Sequence, residues 1–140
     1  MRKSWRKKAD NLLLPSFIIF SVVIIDQISK IEAVEKSSQV ICNQGYAFGL
    51  FQGYLNIFVV VLVLLVAFYN FSRAKRFNFW IGWAFILGGG LGNMVDRLSR
   101  GCVVDFIQTV SFWPSFNIAD AAISLGVGIL VFSLLKGSNA

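Results

Sequence analysis

Tyr54–Phe71 reads YLNIFVVVLVLLVAFYNF, a long run without a single charge. Its length is close to the ~20 residues an α-helix needs to cross a bilayer. Three further stretches have the same character: Leu12–Ser29, Phe79–Val95 and Ile118–Leu135. Phe79–Val95 is the weakest as an isolated helix, because Gly82, Gly88, Gly89, Gly90 and Gly92 lower its propensity. Glycine is nonetheless common where membrane helices pack closely. Composition agrees with this reading. Of 140 residues, 56% are hydrophobic and 14% charged, with mean hydropathy +0.70; ordinary soluble domains are roughly 45–50% apolar and about 25% charged. The expected fold is an all-α membrane protein, a bundle of four transmembrane helices. It is expected to occupy residues 1–140 as one domain, with no internal repeat or linker.

Charge orients the bundle. Arg2, Lys3, Arg6, Lys7 and Lys8 precede the first span, Arg73, Lys75 and Arg76 separate the second from the third, and Lys136 follows the fourth. Basic residues favour the cytoplasmic side. Both termini are then cytoplasmic, and Ile31–Gly53 and Asp96–Asn117 face outward. The basic start of Leu12–Ser29 fits a signal peptide, but Asp26 and Lys30 follow with no small-residue cleavage pattern, so a retained first helix is expected. The net charge of +6 anchors the chain to anionic lipid and sets topology; it implies no nucleic-acid partner. Trp80 and Trp83 near one membrane face, and Tyr54 and Trp113 near the other, fit aromatic belts.

The outward segments are not plain connectors. Gln39–Cys42 and Cys102–Ile107 are rich in β-branched residues and predict short strands that pair into a small sheet. Phe106–Phe116 is apolar enough to lie in the headgroup region, either as an anchor or as a surface for a lipid-bearing substrate. The two cysteines, Cys42 and Cys102, both fall in these segments. A bridge between them is open, but it demands a close Cα approach, and two unpaired thiols are the expectation. There is no histidine and no metal-ligand spacing, which removes histidine-based triads and the usual zinc peptidase motifs. No cofactor and no metal are expected.

Polar residues gather at the outward ends of the spans. They are Asp26 and Lys30 in DQISK, Asn43 and Gly45 in NQGYAFG, Asn93, Asp96 and Arg97 in GNMVDR, Asp105 in VVDF, and Asn117 and Asp120 in FNIAD. Several have ordinary explanations. Asp26 and Lys30, like Asp96 and Arg100, stand i,i+4 and can form local ion pairs. Asn43 suits a turn, and Asn117 suits a helix cap. Asp105 and Asp120 are harder to dismiss. Asp105 lies in an apolar, strand-like segment with no adjacent cation, and an apolar run follows Asp120 directly. An ionisable group at a membrane segment is costly and marks function. Two carboxyls that meet in a poorly solvated place cannot both ionise easily, which is the acid–base pair of an aspartic protease.

The ordered set DQISK, NQGYAFGL, GGGLGNMVDRLSRGCVVDFI and FNIADAAISLG resembles the lipoprotein signal peptidases, the type II signal peptidases of bacteria. The likeness runs from Asp26 to Gly126. It implies a four-helix membrane aspartic peptidase with a small extracytoplasmic sheet. It puts the catalytic pair on Asp105 and Asp120, with support from Asp26, Lys30, Asn43, Gly45, Asn93, Asp96, Arg97 and Asn117. It also implies a prolipoprotein substrate carrying a diacylglyceryl-cysteine, cut just before that cysteine at the outer face of the bacterial plasma membrane by an enzyme acting as a monomer among membrane lipid. Ser29 stands where such proteins usually have Thr, and the Lys30–Asn43 segment is shorter than usual. That bears on the size of the first-loop sheet and not on the aspartates. Two rival readings are a small transporter or proton relay through Asp26, Asp105 and Asp120, and a non-enzymatic scaffold. A relay calls for carboxyls at several depths, and a scaffold leaves the paired aspartates without a purpose.

Overall fold

The structure is a computed structural model. It describes residues 2–36, 40–44, 54–74, 77–110, 112 and 114–137, with the side chains of 2–12, 54–56, 77 and 137 set aside. The elements in chain order are α1 (Arg2–Lys36), β1 (Ile41–Asn43), α2 (Tyr54–Arg73), α3 (Phe77–Arg100), β2 (Val103–Asp105) and α4 (Ile118–Gly137). Each helix contains one of the four apolar stretches. All four run past the expected boundaries, α1 from Arg2 rather than Leu12, and two of them continue into the expected outward segments. Residues 31–36 are helical rather than loop, because Glu32, Ala33, Glu35 and Lys36 are good helix formers and Lys36 pairs with Glu32 at 3.4 Å. Residues 96–100 likewise continue α3, where Arg100 reaches back to Asp96.

The chain is inverted relative to a soluble protein. Phe20, Phe58 and Phe132 are each about two-thirds exposed, while Asp26, Lys30, Asp96 and Asn117 are wholly buried. Charge buried beneath exposed phenylalanine is an unfavourable arrangement in water, whereas lipid favours apolar side chains outside and paired polar groups inside. Among the described residues, one helix, Ile118–Lys136, is long and apolar enough by itself to cross a membrane, with mean hydropathy 2.2, and Ile57–Arg73 is apolar but shorter. The polar side chains within α1 and α3 explain why those helices fall short.

α3 is the central post and packs on α1, α2 and α4. Three consecutive glycines make this possible. A side chain added at Gly88 would meet Val22 of α1, one at Gly89 would meet Ala119 and Ile123 of α4, and one at Gly90 would meet Leu64 of α2. Successive helix residues point about 100° apart, so a glycine run opens α3 to all three neighbours at one level. Ala67, Ile86 and Leu87 form an apolar core below, with Ile19, Leu64 and Leu130 packed around it.

The expected sheet is present and short. β1 and β2 pair antiparallel, with Ile41 opposite Asp105, Cys42 opposite Val104 and Asn43 opposite Val103. β1 sits one residue later than predicted at its C-terminal end, and Gln39 lies outside the described residues. Gly101, at φ 74°, turns the chain from α3 into β2; its N–H bonds the Arg97 carbonyl at 3.2 Å, as a left-handed helix cap does. The expectation of unpaired thiols is corrected: Cys42 and Cys102 are disulfide-bonded, their Cα atoms 5.5 Å apart. The strand register supplies the close approach that the sequence alone did not. Trp113 lies outside the described residues.

Gly126 and Gly128 offer a paired test. A Cβ at Gly126 would stand 2.5 Å from the Gly82 carbonyl oxygen, whereas nothing lies within 4 Å at Gly128. Gly126→Ala should destabilise the bundle by about 1–3 kcal/mol through overpacking, and Gly128→Ala should not. Thermal unfolding in detergent micelles separates them; equal midpoints would contradict this packing.

Candidate active site

The site is built on the first turn of α4. An α-helix begins with N–H groups that lack helical partners, and three carboxyl or amide oxygens take up this end. The Asn117 Oδ1 accepts from the Asp120 N–H at 2.9 Å, and the Asp120 Oδ2 accepts from the Asn117 N–H at 3.2 Å. This is a reciprocal capping box with Asn at the cap and Asp three residues on. The third oxygen comes from α1: the Asp26 Oδ1 accepts from the Ala119 N–H at 2.9 Å. The capping role open to Asn117 in the sequence is real, but it uses only half of the amide.

The other half, Asn117 Nδ2, donates to the Asp105 Oδ1 at 2.7 Å. It also lies 3.3 Å from the Val104 carbonyl and 3.2 Å from the Asn93 Oδ1. One asparagine therefore binds both aspartates, Asp120 through its backbone N–H and Asp105 through its side chain. Each carboxyl receives a second amide. Asn93 Nδ2 donates to the Asp120 Oδ1 at 2.8 Å, and Asn43 Nδ2 donates to the Asp105 Oδ2 at 3.1 Å. Asp105 is almost fully buried on β2, whereas Asp120 is half-buried. Burial pushes the Asp105 carboxyl above its ordinary range, helped by the nearby Asp120 charge; the Asn43 and Asn117 amides and the Lys30 ammonium oppose that rise.

A second layer holds the first. Lys30, on α1, donates to Asp26 at 2.8 Å, to Asp96 at 2.9 Å and to the Asn93 Oδ1 at 3.1 Å. The local Asp26–Lys30 pair expected from spacing is therefore present, but as one arm of a network across α1 and α3. Asp96 does more than orient Arg100. Its Oδ2 accepts from the Val104 N–H at 3.0 Å, which ties β2 to α3, and its Oδ1 accepts from Arg100 and from Gln27. Arg97 is buried beside the Asn93 carbonyl, which it meets at 3.2 Å. Gly45 lies outside the described residues.

Gln27 was missed as a site residue. Its Nε2 lies 3.1 Å from the Gly92 carbonyl and 3.0 Å from the Asp96 Oδ1, and its Oε1 accepts from Arg100. The available signal was a glutamine standing beside Asp26 in an otherwise apolar helix. Three of the spaces in the described structure border site residues, and Asp120 lines the first of them. One of about 870 Å³ runs along Phe112, Phe116, Asp120 and Ser124. One of about 660 Å³ lies by Ile41, Asn43, Thr109 and Val110 and shares Pro114 and Ser115 with the first. The third, about 250 Å³, is an apolar slot between α2, α3 and α4 with Asn93 and Arg97 in its wall.

A helical bundle with its charges inside and its apolar side chains outside, carrying two amide-bound carboxyls at one end, defines a membrane enzyme. Comparison with known proteins narrows this class. The family model described as signal peptidase (SPase) II matches residues 18–136. The lipoprotein signal peptidase of Thermodesulfovibrio yellowstonii is 35% identical over 143 residues, covering 90% of this chain and 97% of the relative. That of Staphylococcus haemolyticus is 30% identical over 155 residues, covering 96% and 98%. A solved bacterial membrane enzyme, determined by the in meso method at 2.3 Å resolution, matches with TM-score 0.79 and 27% identity over 89% of each chain. The chain belongs to the signal peptidase II family of membrane aspartic peptidases.

Lys30→Met tests the second layer. It would leave Asp26 and Asp96 buried without their shared cation. Breaking a buried ion pair from one side costs roughly 3–5 kcal/mol. The variant should show that loss in denaturant or thermal unfolding; a change below about 1 kcal/mol would mean the network is not ionic.

Proposed function

We propose that this chain is an aspartic endopeptidase that removes the signal peptide of a diacylglyceryl-modified prolipoprotein, cutting just before the lipidated cysteine, with Asp105 and Asp120 as its catalytic pair. The observation that carries the reading is the convergence of both carboxyls on Asn117, with the ionisation of Asp105 discouraged by burial. One carboxylate takes a proton from water as the water oxygen attacks the scissile carbonyl. The other, protonated, polarises that carbonyl and then donates to the leaving amine. Water is added across the amide bond and no covalent enzyme intermediate forms. Asn43, Asn93 and Asn117 hold the carboxyls. Asp26, Lys30 and Asp96 hold Asn93 and the start of α4, and Arg97 lines the apolar slot that suits a signal helix or acyl chain.

The relay alternative is not favoured. Asp26, Asp96, Asp105 and Asp120 belong to one linked group at one end, and the apolar cluster of Ala67, Ile86 and Leu87 lies beyond it. In this reading the one domain, residues 1–140, crosses the plasma membrane four times as a monomer in lipid, with no nucleic-acid partner and both termini cytoplasmic. The basic residues at Arg2–Lys8, Arg73–Arg76 and Lys136 support that orientation. The Cys42–Cys102 disulfide supports an extracytoplasmic site, since such bonds persist outside the reducing cytosol. Reporter fusions should read cytoplasmic after Arg76 and external within Glu32–Ser38; the reverse would place the aspartates on the wrong side.

Purified protein incubated with a diacylglyceryl-modified prolipoprotein tests the chemistry. Asp105→Asn and Asp120→Asn should each remain folded and lose cleavage by at least about 1,000-fold, because each carboxyl has its own proton to move. The unlipidated precursor should be cut poorly. Normal turnover by either variant would sink the mechanism, and equal rates on the two precursors would remove the lipid from recognition.

A further inference from the structure

Asn43 reaches Asp105 from an insecure base. β1 is three residues long, and all three are exposed. It is held to β2 by a three-pair register, and short two-stranded pairings are marginal on their own. The residue immediately before Asn43 is Cys42, and the residue immediately before β2 is Cys102. Their bond joins positions 60 residues apart and lies one residue from the amide that donates to Asp105. From this placement we infer that the Cys42–Cys102 disulfide is a positioning element of the reaction, which keeps Asn43 on Asp105 and makes cleavage sensitive to reduction.

This rests on the proposed roles of Asp105 and Asn43. The chemistry of the switch is simple. A dithiol gives two electrons and two protons to the S–S bond, which becomes the Cys42 and Cys102 thiols, and the dithiol closes to its own disulfide. Cys42 is exposed and Cys102 is buried, so the attacking thiolate meets the Cys42 side. After reduction the covalent tie is gone and β1 is held by non-covalent contacts, its short ladder among them. The Asn43 donor is then lost from Asp105 for part of the time. Losing a donor to a carboxylate favours its protonated form. The charged groups that act on Asp105, Asp120 on α4 and Lys30 on α1, belong to other elements.

The test reads Asp105 directly and then reads turnover. In detergent micelles, the ¹³C carboxyl shift of Asp105, assigned with Asp105→Asn, is titrated for oxidised enzyme, for enzyme reduced with dithiothreitol, and for Cys42→Ser/Cys102→Ser. Both disulfide-free forms should titrate at higher pH than the oxidised form. Cleavage by both should fall about tenfold, the weight of one hydrogen bond to a charged group. Asn43→Ala should reproduce both effects, and reduction should then add nothing further. Unchanged Asp105 titration in the disulfide-free forms overturns the proposal. So does an equal loss on reduction with and without Asn43, because the bond would then act by another route. Failure of the oxidised enzyme to cut any prolipoprotein would overturn the assigned activity, whereas the titration judges the clamp separately.

Discussion

The wholly buried Lys30 ammonium is the interaction on which the rest depends. It has three hydrogens, and three oxygens surround it, from Asp26, Asp96 and Asn93. Each leads onward to a different part of the site. Asp26 continues to the first turn of α4, Asp96 to the backbone of β2, and Asn93 to Asp120. By accepting from Lys30, the Asn93 carbonyl oxygen also fixes which way that amide faces, so its Nδ2 is the atom left for Asp120. Removing two carboxylates and an ammonium from water is expensive, and such a cluster is weak evidence of stability for its own sake. What it provides is mutual placement of α1, α3, α4 and β2.

The sequence made the architecture legible because its apolar stretches are long. Leu12–Ser29, Tyr54–Phe71, Phe79–Val95 and Ile118–Leu135 each fall inside a helix. Helix ends were less legible. Residues 31–36 and 96–100 are polar enough to read as loop, yet their i,i+4 pairs and helix-forming residues continue the backbone ladder. The sheet could be anticipated from its β-branched residues, although its register could not. The disulfide was therefore beyond reach, since it depends on the register, which sets Cys42 opposite Val104 and so brings it close to Cys102 just before β2.

The site shows a different limit. Its members were visible as polar residues in apolar surroundings, and the simple explanations for several of them are also true. Asn117 is a helix cap, Asp26 and Lys30 are a local pair, and Asp96 does bind Arg100. These local roles use only some of the available donors and acceptors. Asn117 Nδ2, the third Lys30 hydrogen and the Asp96 Oδ2 remain for partners distant in sequence, which no spacing rule reveals. Gln27 was overlooked for the same reason, as all its partners beyond Asp26 lie on α3.

The glycine run of α3 also sets the angular aim of the site. Gly88 and Gly92 face α1, at Val22 and Asp26; Gly89 faces α4 and stands one turn before Asn93, which meets Asp120. Gly90 faces α2, and Arg97, two turns along the same stripe, lines the slot against that helix. Turning α3 by a single residue would drive side chains into three neighbouring helices at once, against the backbones of α1 and α4 and the Leu64 side chain of α2. The helix is thus keyed like a splined shaft. Its lower teeth, which touch nothing reactive, determine the bearing at which Asn93, Asp96 and Arg97 emerge above, and a fault in the packing there would be read out as misdirected amides some 8–10 Å away along the axis.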